Sequence, residues 1–153
     1  MLRKKLLAIG GTAAFALTLI LSANLTSAAT PTEMIAQRKA LMSLQGGATL
    51  GMVAALKNGD TATIAKLARY LGRSAKVIPT FFEKGTGPEA GKTDALPVIW
   101  EKWDEFKAAA ATLQTESDKL EEIAKSGDQK AIAAQFDALG KACDGCHDKF
   151  SVQ

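Results

Sequence analysis

The 153-residue chain has one histidine, two cysteines, one tyrosine and four prolines, and aromatic residues make up only 6% of it. Each scarcity excludes something. A lone histidine rules out sites built from several imidazoles, and with only two cysteines a structural zinc would need carboxylates to complete its four ligands. Two cysteines with two residues between them close too short a loop to constrain the unfolded chain, so the fold does not lean on a disulfide. No run of alternating β-branched residues competes for a strand. No basic run is interleaved with aromatics, which removes the footprint of nucleic-acid binding.

The N-terminus reads as an export signal over residues 1–29. Arg3, Lys4 and Lys5 precede an apolar and small-residue run from Leu6 to Leu21, and Ser27-Ala28-Ala29 offers a cleavage pattern. Removal is expected after Ala28 or Ala29. An uncleaved anchor is the weaker reading, because the apolar run is shorter than the ~20 residues a spanning helix needs. The signal holds three of the 19 basic residues and none of the 16 acidic ones, so the mature chain is balanced. The sequence pI of 8.9 is then largely a property of the removed segment. Neither a membrane partner after signal removal nor strong electrostatic steering is expected from net charge. Residues 30–153 are about 124 residues, one domain with a single core.

Four helical segments follow. Thr30-Pro31-Thr32-Glu33 is a capping box with proline at the first helical position. Ile35, Met42, Thr49 and Leu56 then recur every seven residues, with Arg38, Gln45 and Met52 in a companion register, until Asn58-Gly59. Gly46, Gly47 and Gly51 lie inside this helix and imply close approach to its backbone. The second segment opens after Asp60, aligns Ile64, Leu67, Leu71 and Ile78, and ends at Pro79. FFEKGTGPEAGKTDAL, residues 81–96, is an ordered loop, long for a helix connection and for that reason a functional candidate. The third segment, expected to be the longest, follows Pro97 and aligns Ile99, Trp103, Phe106, Ala110, Leu113, Leu120 and Ile123. After Ser126-Gly127, Asp128 caps the fourth, with Ile132, Phe136, Leu139, Cys143 and Phe150 on one face. The expected fold is all-α, an antiparallel up-down-up-down four-helix bundle.

Both cysteines and the only histidine fall within CDGCH, residues 143–147. On a helix Cys143 and His147 stand one turn apart on one face, with Cys146 beside them. Two thiols can add to the vinyl groups of a haem while the imidazole reaches the iron, which is the c-type haem attachment pattern. Covalent attachment suits an exported, periplasmic chain. Three plainer readings are weaker. Zinc lacks ligands, a thioredoxin-type dithiol lacks its βαβ setting, and chance proximity explains nothing else about the motif. With the histidine assigned to iron, no nucleophile, base and oxyanion donor remain for hydrolysis, and the chain is not expected to be an enzyme.

RKALM (Arg38–Met42), GTGPEAGKTDALP leading into Ile99-Trp100, and KACDGCH on the last helix together resemble the class II c-type cytochromes, the cytochrome c′ family. The resemblance spans essentially the whole mature chain and implies a four-helix bundle carrying one haem c. It implies that Cys143 and Cys146 form the thioethers and that His147 is the axial ligand. It also implies that Arg38 approaches a propionate, with Lys39 beside it where glutamine is often found, and that Thr93 and Asp94 line the haem. Plainer readings stand beside these: Arg38 as a solvated or snorkelling helix residue, and Lys39, Thr93 and Asp94 as ordinary surface polarity. Trp100 and Trp103 read as core and haem-wall packing. Pairing of family members through their first two helices implies a homodimer, and redox proteins are the implied partners.

Met42 stands where the family places the residue facing the iron opposite the histidine. In cytochromes c′ that residue crowds the iron without binding it. In low-spin members of the class a methionine there is the sixth ligand. The favoured expectation is a high-spin, five-coordinate haem that binds NO or CO and takes part in electron transfer. The alternative is a low-spin carrier with His147/Met42 ligation. Met52 reads as core, and Met34 lies too near the helix start to reach iron.

Overall fold

The computed structural model describes residues 28–152, so the expected signal segment lies almost wholly outside the described residues. Helix α1 runs Pro31–Asn58 and begins with the anticipated box. Glu33 N–H donates to Thr30 Oγ1 at 3.3 Å and Thr30 N–H donates to the Glu33 carboxylate at 2.7 Å. Gly59, at φ 67°, ends it in the left-handed conformation that costs glycine little. Asp60 then caps α2, Thr61–Val77, by accepting from Thr63 N–H at 3.0 Å. The same device recurs where α4 meets α5, with Gly127 at φ 77° followed by Asp128 accepting from the amides of Lys130 and Ala131. Two-residue joints of this kind leave the next helix no course but back along its neighbour, which makes α1/α2 and α4/α5 antiparallel pairs.

The connection between the pairs is longer. After α2 comes a 3₁₀ turn, Ile78–Phe81, with Pro79 inside it, then a second, Pro88–Ala90. The third expected helix is two: α3, Val98–Glu101, and α4, Trp103–Ser126, with Lys102 at φ −117° and ψ 47° between them. Neither glycine nor proline stands at the break, so propensity does not explain it. It coincides with Trp100, whose indole N–H donates to the carbonyls of Phe82 and Glu83 at 2.9 and 3.0 Å and ties α3 to the loop. In consequence α1, not the third segment, is the longest helix. Helix α5 runs Gln129–Phe150.

Helices α2 and α4 pack together, α5 packs on α4, and α1 packs on α2. Their shared core contains Met52, Ile64, Leu71, Leu120, Ile132 and Leu139, each at most 1% exposed. Full burial of side chains this size is worth about 1.5–3 kcal/mol apiece. Met52 is therefore core, and Met34 is buried as well. Phe82, Phe106 and Phe150 stack at one end, with ring centroids 4.7 Å and 5.3 Å apart. Through them the long loop and the end of α5 rest on α4. Of the three α1 glycines, only Gly51 meets the expected close neighbour, Leu67 Cδ1 at 3.0 Å from where a Cβ would stand. Around Gly46 and Gly47 no protein atom would lie within 4 Å of a Cβ.

Candidate haem site

Helix α1 packs on α2 and α5 packs on α4, and a cleft of about 890 Å³ lies between α1 and α5. Its floor is apolar: Leu71 from α2, Ile99 from α3, and Phe106 and Leu113 from α4. A volume of this order suits a cofactor or drug-sized ligand. Cys143, Cys146 and His147 reach it from α5, and Met42 and Gln45 from α1. The motif residues meet there because one turn of α5 faces the opening, as the i, i+3, i+4 spacing requires.

Both thiols are free and half-buried. Burial, with the Cys143 charge second, pushes the Cys146 thiol up to about 11, and burial followed by Asp144 pushes Cys143 up as well. They are neutral thiols in an apolar wall, not reactive thiolates. Among the described residues, no three His, Cys, Asp or Glu side chains converge to hold a metal ion by themselves.

Arg38 is 3% exposed, which removes the solvated reading of that residue. Its guanidinium donates to Thr86 Oγ1 at 3.1 Å, Thr93 Oγ1 at 2.8 Å and the Phe81 carbonyl at 3.5 Å, and lies 4.7 Å from the Phe82 ring centroid. No described carboxylate comes within ion-pair distance of it. Desolvation pulls its pKa down, and only the field of Glu89 opposes this. A buried cation held by neutral acceptors and a ring is costly unless an anion joins it. A haem propionate is such an anion, so the chemistry of the cleft fits the group: thiols and imidazole on one wall, an uncompensated cation on another, hydrocarbon between.

The loop is fastened to the end of the motif helix. Leu96 N–H donates to the Phe150 carbonyl at 3.0 Å and Val152 N–H to the Asp94 carbonyl at 2.8 Å, around an isolated antiparallel bridge between Ala95 and Ser151. Thr93 thus joins Arg38 to a segment that clasps the residues just after His147. Asp94 takes part through its main chain, while its side chain is exposed at the cleft, as is Lys39. Sequence reasoning missed Thr86, Phe82 and Gln45 as cleft or arginine partners. Thr86 lay in view inside the long loop, but nothing periodic in a loop announces a contact with a helix 48 residues away.

A helical bundle that turns two thiols and an imidazole from one helix into a single apolar cleft is built as a c-type haem protein. The family model described as Cytochrome C' matches residues 33–151, and the chain belongs to that family. Among curated relatives it is similar to Cytochrome c-556 of Agrobacterium tumefaciens strain B2A, 35% identical over 124 residues, covering 78% of this chain and 97% of the relative. Among solved structures it resembles cytochrome c prime from Shewanella frigidimarina, 29% identical, with a TM-score of 0.74 over 83% of this chain and all of that one. It also resembles a nitric oxide complex of a variant of cytochrome c prime from Alcaligenes xylosoxidans, 25% identical, with a TM-score of 0.72 over 83% of this chain and 99% of that one. Membership implies haem c as the cofactor and establishes a c-type cytochrome with the four-helix-bundle fold.

Proposed function

We propose that the chain is a periplasmic monohaem cytochrome of the c′ type, with a high-spin, five-coordinate iron that binds NO or CO and exchanges electrons with redox partner proteins. The observation that carries this is the single cleft shared by Cys143, Cys146 and His147 on α5 and by Met42 on α1. Cys143 and Cys146 hold the haem covalently and His147 is its axial ligand. Arg38, with Lys39 at the rim, takes a propionate, and Thr93 and Asp94 close that edge. The haem supplies an iron centre for reversible redox and gas binding; the protein supplies confinement and ligand choice, with no catalytic group.

Met42 is half-buried on the cleft wall and crowds the open side, so that ligands as strong as NO or CO displace it. The nitric oxide complex of the Alcaligenes relative supports that reading. A thioether in the same place also suits a six-coordinate electron carrier ligated by His147 and Met42, and that is the second reading. Export rests on the signal pattern of residues 1–29, and no described helix is long and apolar enough to cross a membrane. A homodimer through α1 is supported by its outward stripe of Ala40, Leu44, Gly47 and Ala54, on which Leu44 is 61% exposed.

The test is the absorption spectrum of protein made in a host that attaches haem c. One broad band in the reduced protein, shifted by CO, is expected. Sharp, split bands indifferent to CO would give the second reading its place. A polypeptide mass without porphyrin would end both.

A further inference from the structure

We propose that Gly46 and Gly140 are the two sides of a slot that takes the porphyrin edge remote from Arg38, and that both positions lack a side chain for that reason. This rests on the haem-site reading above and adds to it two residues that position the cofactor. Gly46 stands inside α1 and Gly140 inside α5. Glycine in a helix interior weakens that helix about fivefold relative to alanine. Protein packing accounts for neither one. A Cβ at Gly46 or Gly140 would have no protein atom within 4 Å, whereas one at Gly51 would meet Leu67 at 3.0 Å and one at Gly72 would meet Asp118 at 2.5 Å. Backbone conformation does not require them either, since neither has a positive φ. Both line the cleft, and in this they differ from Gly47 and Gly145, the other helical glycines with open surroundings.

The residue before each glycine fixes the way it faces. Gln45 is 8% exposed and its Nε2 donates to Ser74 Oγ at 2.8 Å, which keys α1 against α2. Leu139 is 1% exposed and keys α5 into the core. One residue further is about 100° around a helix, so each glycine turns from the core toward the cleft. Their level along the bundle follows from the helical rise. Arg38 donates to Thr93, and the segment after Thr93 clasps the C-terminal end of α5, so α1 begins where α5 ends. Gly46 lies eight residues beyond Arg38, about 12 Å along the axis, and Gly140 lies seven residues before His147, about 10 Å. Both are therefore displaced away from the cation, in the direction that leads from His147 to Cys143. A haem carries its propionates at one edge and its vinyl groups at the other. With the propionates at Arg38 and a thioether at Cys143, the far edge runs between the two glycines.

The haem-loaded protein tests this with Gly46→Leu and Gly140→Leu. Leucine is nearly as good a helix former as alanine, so without a slot each change should stabilise the protein. With the slot filled by porphyrin, each is expected instead to shift the folding equilibrium in urea about tenfold or more toward the unfolded chain, the order for an overpacked site. The circular dichroism of the Soret band is expected to change as the macrocycle is displaced. A variant more stable than the parent, or one that keeps the parent's Soret dichroism, at either position overturns the proposal. Should a leucine variant fail to fold, Gly46→Ala and Gly140→Ala are read by the same two measurements, with the same outcomes deciding. A parent whose mass includes no porphyrin defeats the haem-site reading itself, before either glycine is changed.

Discussion

Arg38 concentrates the physics of the site in one side chain. Its charge is sealed from water and held by two threonine hydroxyls and an aromatic ring, with no carboxylate of the described residues within ion-pair reach. Arg38→Met keeps most of the bulk and removes the charge and the donors. Guanidinium denaturation of the haem-loaded variant is expected to show a loss of about 2 kcal/mol, the order for a hydrogen-bonded charge. A variant as stable as the parent would show that no anion relies on this cation. The residue's identity was legible in RKALM, but its burial was not. Thr93 and Thr86 are 55 and 48 residues away, and a basic residue on a helix reads in sequence as surface until the loop that covers it is placed. By contrast, the roles carried over to Cys143, Cys146 and His147 needed only the local spacing of one helix.

At the scale of elements, what joins the helices is unevenly visible. The capping box of α1, the aspartate caps of α2 and α5 and the glycine stops after α1 and α4 were legible because such signals act within four residues. The break at Lys102 has no local signal, since the anchor of Trp100 is a pair of carbonyls on another segment. The clamp between α2 and α4 is likewise nonlocal. Arg69 donates to Glu121 at 2.7 Å, and Lys125 lies 3.3 Å from the same carboxylate. Hydrogen bonding by Arg69, foremost, holds the Glu121 carboxyl below its ordinary value. A carboxylate so depressed contributes stability above its unfolded pKa and loses it as pH falls through the folded value. Glu121→Gln should therefore melt below the parent at pH 7, and the two thermal midpoints should converge as pH falls through the lowered carboxyl value. A gap that persists in acid would assign the effect to packing instead.

Over residues 30–153 the molecule is balanced in charge yet not uniform. Helix α2 carries Lys66, Arg69, Arg73 and Lys76 and no carboxylate, while α4 is predominantly acidic. The neutral total therefore conceals a cationic side. Helix α1 is apolar around most of its circumference, facing the core with Met52 and Ala55 and facing outward with Leu44. An outward leucine set among small residues is the surface on which a second copy would close a symmetric pair. Leu44→Glu is expected to shift the protein to monomer in sedimentation at micromolar concentration while leaving its absorption spectrum unchanged. A native protein that sediments as a monomer would remove the pairing altogether.

Apart from the break at Lys102, the amino-acid sequence by itself determined the helical segments, the caps of α1, α2 and α5 and the haem-attachment motif, because caps, apolar periodicity and CDGCH all act across a turn or two of chain. Tertiary structure alone decided that α1 and α5 stand apart to form a cleft, that Arg38 is buried beneath the long loop, and that Gln45 is oriented by Ser74. Those contacts join residues 29 to 55 positions apart, and only packing of whole helices, driven by burial of their apolar faces, brings such partners together.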